Sequence, residues 1–151
     1  MKIFYIFLGF IAYIHTIDSF SLINPNTSPE SVVLQQLHAL QQDDIYTVFK
    51  FASPSNKEAT GPWQRFSKMA RSPPYAPLIK HKRAELMLTR RKPNGIEWMC
   101  LVRVWPSKGS EKEKEDGNLM PVHYWWTLSK VWNDDGIFKD CWMVDGVIPD
   151  R

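Results

Sequence analysis

The side chains best suited to chemistry form a potential acid–base group in the last third of the chain. Asp140 falls between Phe138 and Trp142 in an alternating stretch, so a β-strand there would place all three side chains on one face. A carboxylate among aromatic rings loses hydration, which raises its pKa and makes it a usable general base. His123 and Tyr124 are the candidate helpers. Asp, His and Tyr are residue types that can take up or release a proton in general acid–base catalysis.

Each of these residues also has a structural interpretation. Asp140 could pair with a strand cation such as Arg103 or Lys130, and structural ion pairs also perturb carboxylates. His123 fits an ordinary cross-strand polar position, and Asp145 is a further carboxylate in the same region. The structural interpretation of Asp140 is the favoured one, and the catalytic one stays open beside it.

Tryptophan dominates the predicted strands, and the chain has 7 of them. Facing inward, these rings would line a pocket for a flat apolar ligand such as a pigment, a quinone or a terpenoid. Facing outward, they would mark a surface for a protein partner or a second copy of the chain. Helices over one face and a dimer partner over the other would account for them equally. The candidate pocket or interface residues are Trp98, Trp126, Trp142, Phe138 and Trp125.

The cysteines and histidines do not form a metal or redox motif. Cys100 and Cys141 lie on predicted strands that flank a third strand, which separates them by roughly 9–10 Å. A disulfide needs Cα atoms within about 7 Å, so we predict two free thiols, with a bridge as the alternative if the strand order differs. There is no CxxC, and the 4 His are scattered. We expect no metal and no cofactor.

Three helical segments are predicted between Ser28 and Pro77. Thr27 or Ser28 can cap the first, whose apolar residues recur at helical spacing over about four turns. Asp43 or Asp44 caps the second, and Pro62 opens the third. The run 53–56 is expected to break the second segment, and 72–74 to end the third. Residues 75–77 are expected to be extended.

Strands follow the helices. The predicted strands are 82–89, 96–105, 122–132 and 137–144. Lys92-Pro93-Asn94-Gly95 is a hairpin turn, because Asn-Gly favours the positive φ angles of such turns. The second strand is apolar on both faces, which is typical of a central strand. The resulting prediction is an α+β fold, with N-terminal helices packed on a curved antiparallel sheet as a cone or roll.

The N-terminus has the pattern of a targeting segment. Residues 3–14 are apolar, which is too short for a membrane span, so 1–19 is predicted to be a signal peptide rather than an uncleaved anchor. Phe20 after the expected cleavage site resembles the plastid-import junction of algae with secondary plastids. We therefore expect 20–27 to be a linker or short transit segment, and the destination to be such a plastid or the exterior. The domain would span 28–151, with a charged loop inserted at 107–118.

Charge patterning argues against a nucleic-acid binder. The net charge of +3 is mild and spread along the chain rather than gathered in one stripe. Two basic runs, 81–83 and 90–92, flank the first predicted strand. They could contact an anionic surface, but solvated strand ends that discourage edge pairing are the favoured interpretation. No stable membrane span is expected after removal of the signal peptide.

The helical half carries a likeness to a known family. The stretches 36–44, 49–54 and 75–78, together with Gly61, Phe66 and Met69, resemble the uncharacterised domain of unknown function 4864. The resemblance to that family covers about 28–147 of this chain. The family is itself similar to the nuclear transport factor 2-like (SnoaL-like, cystatin-like) superfamily. The resemblance implies a cone fold and no particular reaction, because the superfamily holds enzymes, ligand binders and assembly modules.

Two functional hypotheses follow. The first is a small binding or assembly module that acts through a hydrophobic cone pocket or a sheet-face interface, as a homodimer or with a protein partner. The second rests on the resemblance, because superfamily enzymes that dehydrate, isomerise or cyclise small molecules place an Asp inside the cone, often with His or Tyr. It is a cofactor-free lyase or isomerase that uses Asp140 with His123 or Tyr124. Whether the chain is an enzyme stays open at this point.

Overall fold

The computed structural model describes residues 23–107, 120–133 and 136–150. The predicted signal peptide over 1–19 and the first residues of the predicted transit segment lie outside the described residues, as does the charged loop after Ser107. Within the described ranges, no helix is long and apolar enough to cross a membrane.

Helices form the N-terminal half of the described chain. They are α1 (Pro29–Gln41), α2 (Ile45–Lys50), α3 (Pro54–Thr60), α4 (Trp63–Ala70) and a short 3-10 helix (Ala76–Leu78). Ser28 caps α1, since its hydroxyl accepts a hydrogen bond from the Ser31 amide at 3.2 Å. Asp44 caps α2 in the same way through the Thr47 amide at 3.1 Å. Both predicted caps are confirmed, because each satisfies an amide that the first helical turn leaves unpaired.

In the helical half one helix was missed and one prediction was wrong. The second segment ends before the run 53–56, as predicted, since α2 ends at Lys50. Ser53 then caps an unpredicted helix, α3, by accepting from the Asn56 amide at 3.3 Å, with Pro54 in the first turn. Residues 75–77 are not extended, because the Leu78 amide donates to the Tyr75 carbonyl at 2.9 Å and begins the 3-10 helix. In both places a proline starts a helical turn instead of ending one.

The strands form an antiparallel meander. They are β1 (Arg83–Arg91), β2 (Glu97–Trp105), β3 (Val122–Lys130) and β4 (Trp142–Pro149). Among the described residues they make one sheet in the order β1-β2-β3-β4. The predicted hairpin between β1 and β2 is confirmed, with Gly95 at φ 74° and its amide donating to the Lys92 carbonyl at 3.0 Å. The α+β class, with helices packed on an antiparallel sheet, is confirmed.

The predicted bounds of the last strand were wrong. The strand was expected over 137–144, but β4 begins only at Trp142. The residues before it form a turn, in which the Cys141 amide donates to the Phe138 carbonyl at 3.0 Å. Asp140 has φ 61°, a left-handed conformation that aspartate tolerates better than most residues. Local turn bonds therefore replace the strand pairing that the alternation predicted.

The helices cover one face of the sheet, here called the inner face. Its buried side chains alternate along the two central strands and pack on α1 in a single apolar core. The β4 edge is also covered, because the Val144 amide and carbonyl bond to Phe51 and Ser53, each at 2.8 Å. The opposite face, here called the outer face, is half-buried along the same central strands.

Candidate functional site

The acid–base group predicted around Asp140 is not assembled as expected. Asp140 is exposed in the turn before β4, so it does not share a strand face with Phe138 and Trp142. Its amide donates to the Val131 carbonyl at 2.7 Å. Among the described residues its carboxylate forms no ion pair with Arg103 or Lys130 either. The desolvation that would make it a base is therefore missing at this position.

The two predicted helper residues lie on opposite faces of β3. Tyr124 is buried on the inner face, and its hydroxyl donates to the Pro74 carbonyl at 2.8 Å. Burial raises the pKa of Tyr124 to about 12, so its phenol stays protonated and ties the segment after α4 to the sheet. His123 is on the outer face, where its Nε2 accepts from the Arg103 Nε at 3.2 Å.

The predicted aromatic set divides between the two faces. Trp98, Trp126 and Trp142 are no more than 4% exposed and belong to the core. Phe138 packs on a second, smaller apolar cluster beside β4. Trp125 lies on the outer face, where its indole N–H donates to the Asp150 carboxylate at 3.2 Å. The inner rings therefore hold the fold together, and the outer ring is available for contact.

A buried glutamine anchors one of these rings, and sequence reasoning missed it. The Trp126 indole N–H donates to the Gln36 Oε1 at 2.7 Å, and the Gln36 Nε2 donates to the Val48 carbonyl at 3.0 Å. This network links α1 to β3 and α2 with its polar groups paired, as burial requires. The signal was present, because Gln36 lies three residues after Val33 and four before Leu40 on the apolar side of α1.

The predicted exposure of His81 was also wrong. It was expected at a solvated strand end, as part of the basic run 81–83, but it is only 4% exposed. Its Nδ1 lies 2.8 Å from the Leu78 carbonyl, and burial lowers the pKa of the imidazole below its ordinary value. Lys82 and Arg83, by contrast, are exposed as predicted.

Both cysteines are buried free thiols, which confirms that prediction. Burial raises the pKa of Cys100 to about 12, and it raises the pKa of Cys141 as well. A protonated thiol is a weak nucleophile, so neither residue is suited to covalent chemistry. Nor do the described ranges contain a group of three His, Cys, Asp or Glu side chains that could hold a metal ion.

An apolar row crosses the whole outer face. The pairing register joins Leu88 to Leu101, Leu101 to Trp125 and Trp125 to Ile148, one residue from each strand. These four residues are called the outer row below. Its two end residues, Leu88 and Ile148, are 55% and 56% exposed. A hydrophobic band of this kind, across a sheet face, is a candidate contact surface.

Polar side chains border the outer row on both sides. On one side the register pairs Glu85 with Arg103 and Arg103 with His123. On the other side Arg90 and Thr127 are polar, with Met99 between them. An apolar centre within a polar rim is the usual anatomy of a protein–protein interface.

The fold and these two faces define a small α+β domain with its helices on one side of an antiparallel meander. The model of the family described as domain of unknown function 4864 matches residues 24–112, and the chain belongs to this family. The likeness seen in the helical half is therefore confirmed at the level of the family. The search of curated proteins found no match. The search of solved structures found none either.

Proposed function

We propose that this protein is a binding and assembly module whose outer sheet face pairs with a second copy of the chain. The outer row carries this proposal, because it is continuous across all the strands of the described sheet and exposed at both ends. The row extends over roughly 14 Å, which is three strand spacings. It could therefore form the apolar centre of a dimer interface.

Charge placement favours a second copy as the occupant. Glu85 and Arg90 lie on β1 in the two rows that border the outer row. A two-fold axis parallel to the outer row would stack the row on itself and exchange the two bordering rows. Arg90 of one copy would then face Glu85 of the other, once on each side of the axis, at the β1 edge of a symmetric interface. An isologous interface needs such self-complementarity.

The other hypotheses receive less support. A ligand pocket between the helices and the sheet would use Trp98, Trp126 and Trp142, but these rings contribute to the packed core. A lyase or isomerase would use Asp140 as its base, but Asp140 is exposed in a turn. The sheet-face interface is thus the version of the module hypothesis that we retain.

We also infer that this family is a branch of the nuclear transport factor 2-like superfamily. The order of the elements, helices first and a meander second, supports this placement. For the route through the cell we propose entry into the secretory pathway, followed by import into a plastid of an alga with secondary plastids or by secretion. The N-terminal sequence pattern supports this route.

Sedimentation equilibrium tests the interface with a matched pair of leucines. Leu88 in the outer row is 55% exposed and Leu34 on α1 is 54% exposed, so their replacement removes similar apolar surface. The protein is expressed from its complete coding sequence. We expect Leu88→Ser to raise the dimer dissociation constant at least ten-fold, which is about 1.4 kcal/mol. Leu34→Ser should leave it unchanged. Equal effects of the two changes would contradict the proposed face.

A further inference from the structure

Two cations converge on one tryptophan ring at an end of the inner face. Trp142 opens β4, and the guanidinium carbon of Arg91 lies 5.2 Å from the centre of its ring. The Lys130 Nζ lies 5.6 Å from the same centre. Arg91 ends β1 and Lys130 ends β3, so residues from three strands meet here. The ring itself is only 4% exposed, because it lies beneath these side chains and the core.

The fold does not neutralise these two charges through ion pairs. Among the described residues, ion pairs engage Arg71, Lys80, Arg83 and Lys92, but neither Arg91 nor Lys130. Cation–π attraction explains why each cation stays on the ring. It does not offset the repulsion between two like charges held against one ring. The arrangement therefore leaves positive charge available to an anion.

Charges of both signs lie near this end of the sheet, because Lys92, next to Arg91, forms an ion pair with Glu97 at 2.7 Å. Lys57 on α3 lies 4.9 Å from the ring centre of Phe138, just before β4. The end of α1 lies near the start of β1, because the Lys80 amide donates to the Leu40 carbonyl at 3.0 Å. The start of α1 carries Glu30, whose negative charge acts on Cys100 in β2. Burial is the larger cause of the raised pKa of the Cys100 thiol, and the charge of Glu30 is the smaller one.

We infer that Arg91, Lys130 and Trp142 form a binding site for an oxyanion, a phosphate or carboxylate group. The Arg91 guanidinium offers a planar fork that matches two oxygens of such a group, and Lys130 adds a point charge. The ring of Trp142 holds both side chains in place before the anion arrives. This site lies on the face opposite to the proposed dimer contact, so neither proposal depends on the other.

The indole N–H resonance of Trp142 is the local reporter for a test. It is assigned in a two-dimensional NMR spectrum by its loss in Trp142→Phe. The protein is titrated with inorganic phosphate, pyrophosphate and acetate, with sodium chloride used to hold ionic strength constant. We expect a saturable shift of this resonance with at least one of these anions. Tighter binding of the phosphates or of acetate identifies which oxyanion chemistry the site prefers.

An exposed lysine at the other end of β1 provides the control. Arg91→Gln and Lys130→Gln should each weaken binding at least ten-fold, whereas Lys82→Gln, just before the start of β1, should leave it unchanged. Arg91→Lys keeps the charge without the fork and should give an intermediate affinity. Equal weakening by Lys82→Gln would show general surface charge and overturn the site. So would a shift that does not saturate up to about 10 mM anion, a concentration that corresponds to negligible affinity.

Discussion

Trp125 and Trp126 are neighbours on β3, yet the two faces of the sheet give them opposite roles. Trp126 is 0% exposed, lies in the core and donates its indole hydrogen to Gln36. Trp125 lies in the outer row, half-buried, and donates to Asp150 near the C-terminus. The pleat alone separates them, since successive side chains point to opposite faces. The same residue type therefore stabilises the fold on one face and offers contact area on the other.

The comparison extends along both faces. Inner-face residues of the central strands alternate as fully buried positions and share one core with α1. The outer face keeps an apolar centre with charged neighbours on both sides. A sheet face that only contacts solvent usually carries polar side chains at its centre, whereas the outer face carries Leu101 and Trp125 there. The outer face is thus the one on which a change should alter assembly more than folding.

Replacing the two tryptophans separately gives the largest expected effect. Trp126→Ala should lower the free energy of unfolding by about 3–5 kcal/mol, because it leaves a large cavity and removes the hydrogen bond to Gln36. Trp125→Ala should lower it by less than about 1.5 kcal/mol in the monomer, since that ring is only partly buried. Urea denaturation at a concentration where the protein is monomeric measures both. Equal losses would remove the distinction between the faces.

Gln36→Leu should give the next largest effect. It leaves the Trp126 indole N–H and the Val48 carbonyl buried without partners, which costs about 1–3 kcal/mol. Gln35→Leu is the matched control, because the Gln35 Oε1 is buried without a hydrogen-bond partner among the described residues. Its replacement should leave stability unchanged or increase it. Urea denaturation measures the free energy of unfolding of both variants. A larger loss for Gln35→Leu than for Gln36→Leu would contradict the proposed role of the Gln36 hydrogen bonds.

A smaller effect is expected from pH at His81. Because burial lowers the pKa of His81 below 6.5, the unfolded chain takes up a proton there that the folded chain resists. The stabilisation is complete above the ordinary histidine pKa and is lost as the pH falls through the lowered value. Between about pH 7 and pH 5, the wild-type protein should therefore lose more stability than His81→Gln.

Urea denaturation of the wild-type protein and of His81→Gln at several pH values measures this difference. Parallel curves for His81→Gln and the wild-type protein would show that His81 does not contribute to the dependence of the unfolding free energy on pH.

Most of the sheet could be predicted from local sequence. The start of α3 and the turn around Asp140 could not, because they depend on competing hydrogen bonds and tertiary contacts. The alternation in β2 and β3 predicted these two strands, and the Asn94-Gly95 turn predicted the hairpin between β1 and β2, because strand period and turn chemistry are local properties. Ser53-Pro54 was ambiguous, since the same residues can end one helix or start another. Asp140 was misplaced because turn hydrogen bonds competed successfully with strand alternation.

The site residues were harder to predict than the elements. The burial of His81 depends on how the segment after the 3-10 helix packs against α1, where Gln41 donates to the His81 carbonyl at 3.2 Å. The cation pair over Trp142 joins three strands separated in sequence. Neither arrangement has a fixed spacing along the chain, so only the tertiary structure brings these residues together.

A charge exchange across the proposed dimer tests the central claim most directly. Sedimentation equilibrium is measured for Glu85→Arg, for Arg90→Glu and for the double variant. Each single change should place like charges opposite each other and raise the dissociation constant of the dimer, and the double variant should restore it toward the wild-type value. A wild-type protein that stays monomeric up to about 100 µM would contradict the proposed assembly, and a double variant that adds the two losses would contradict its symmetry.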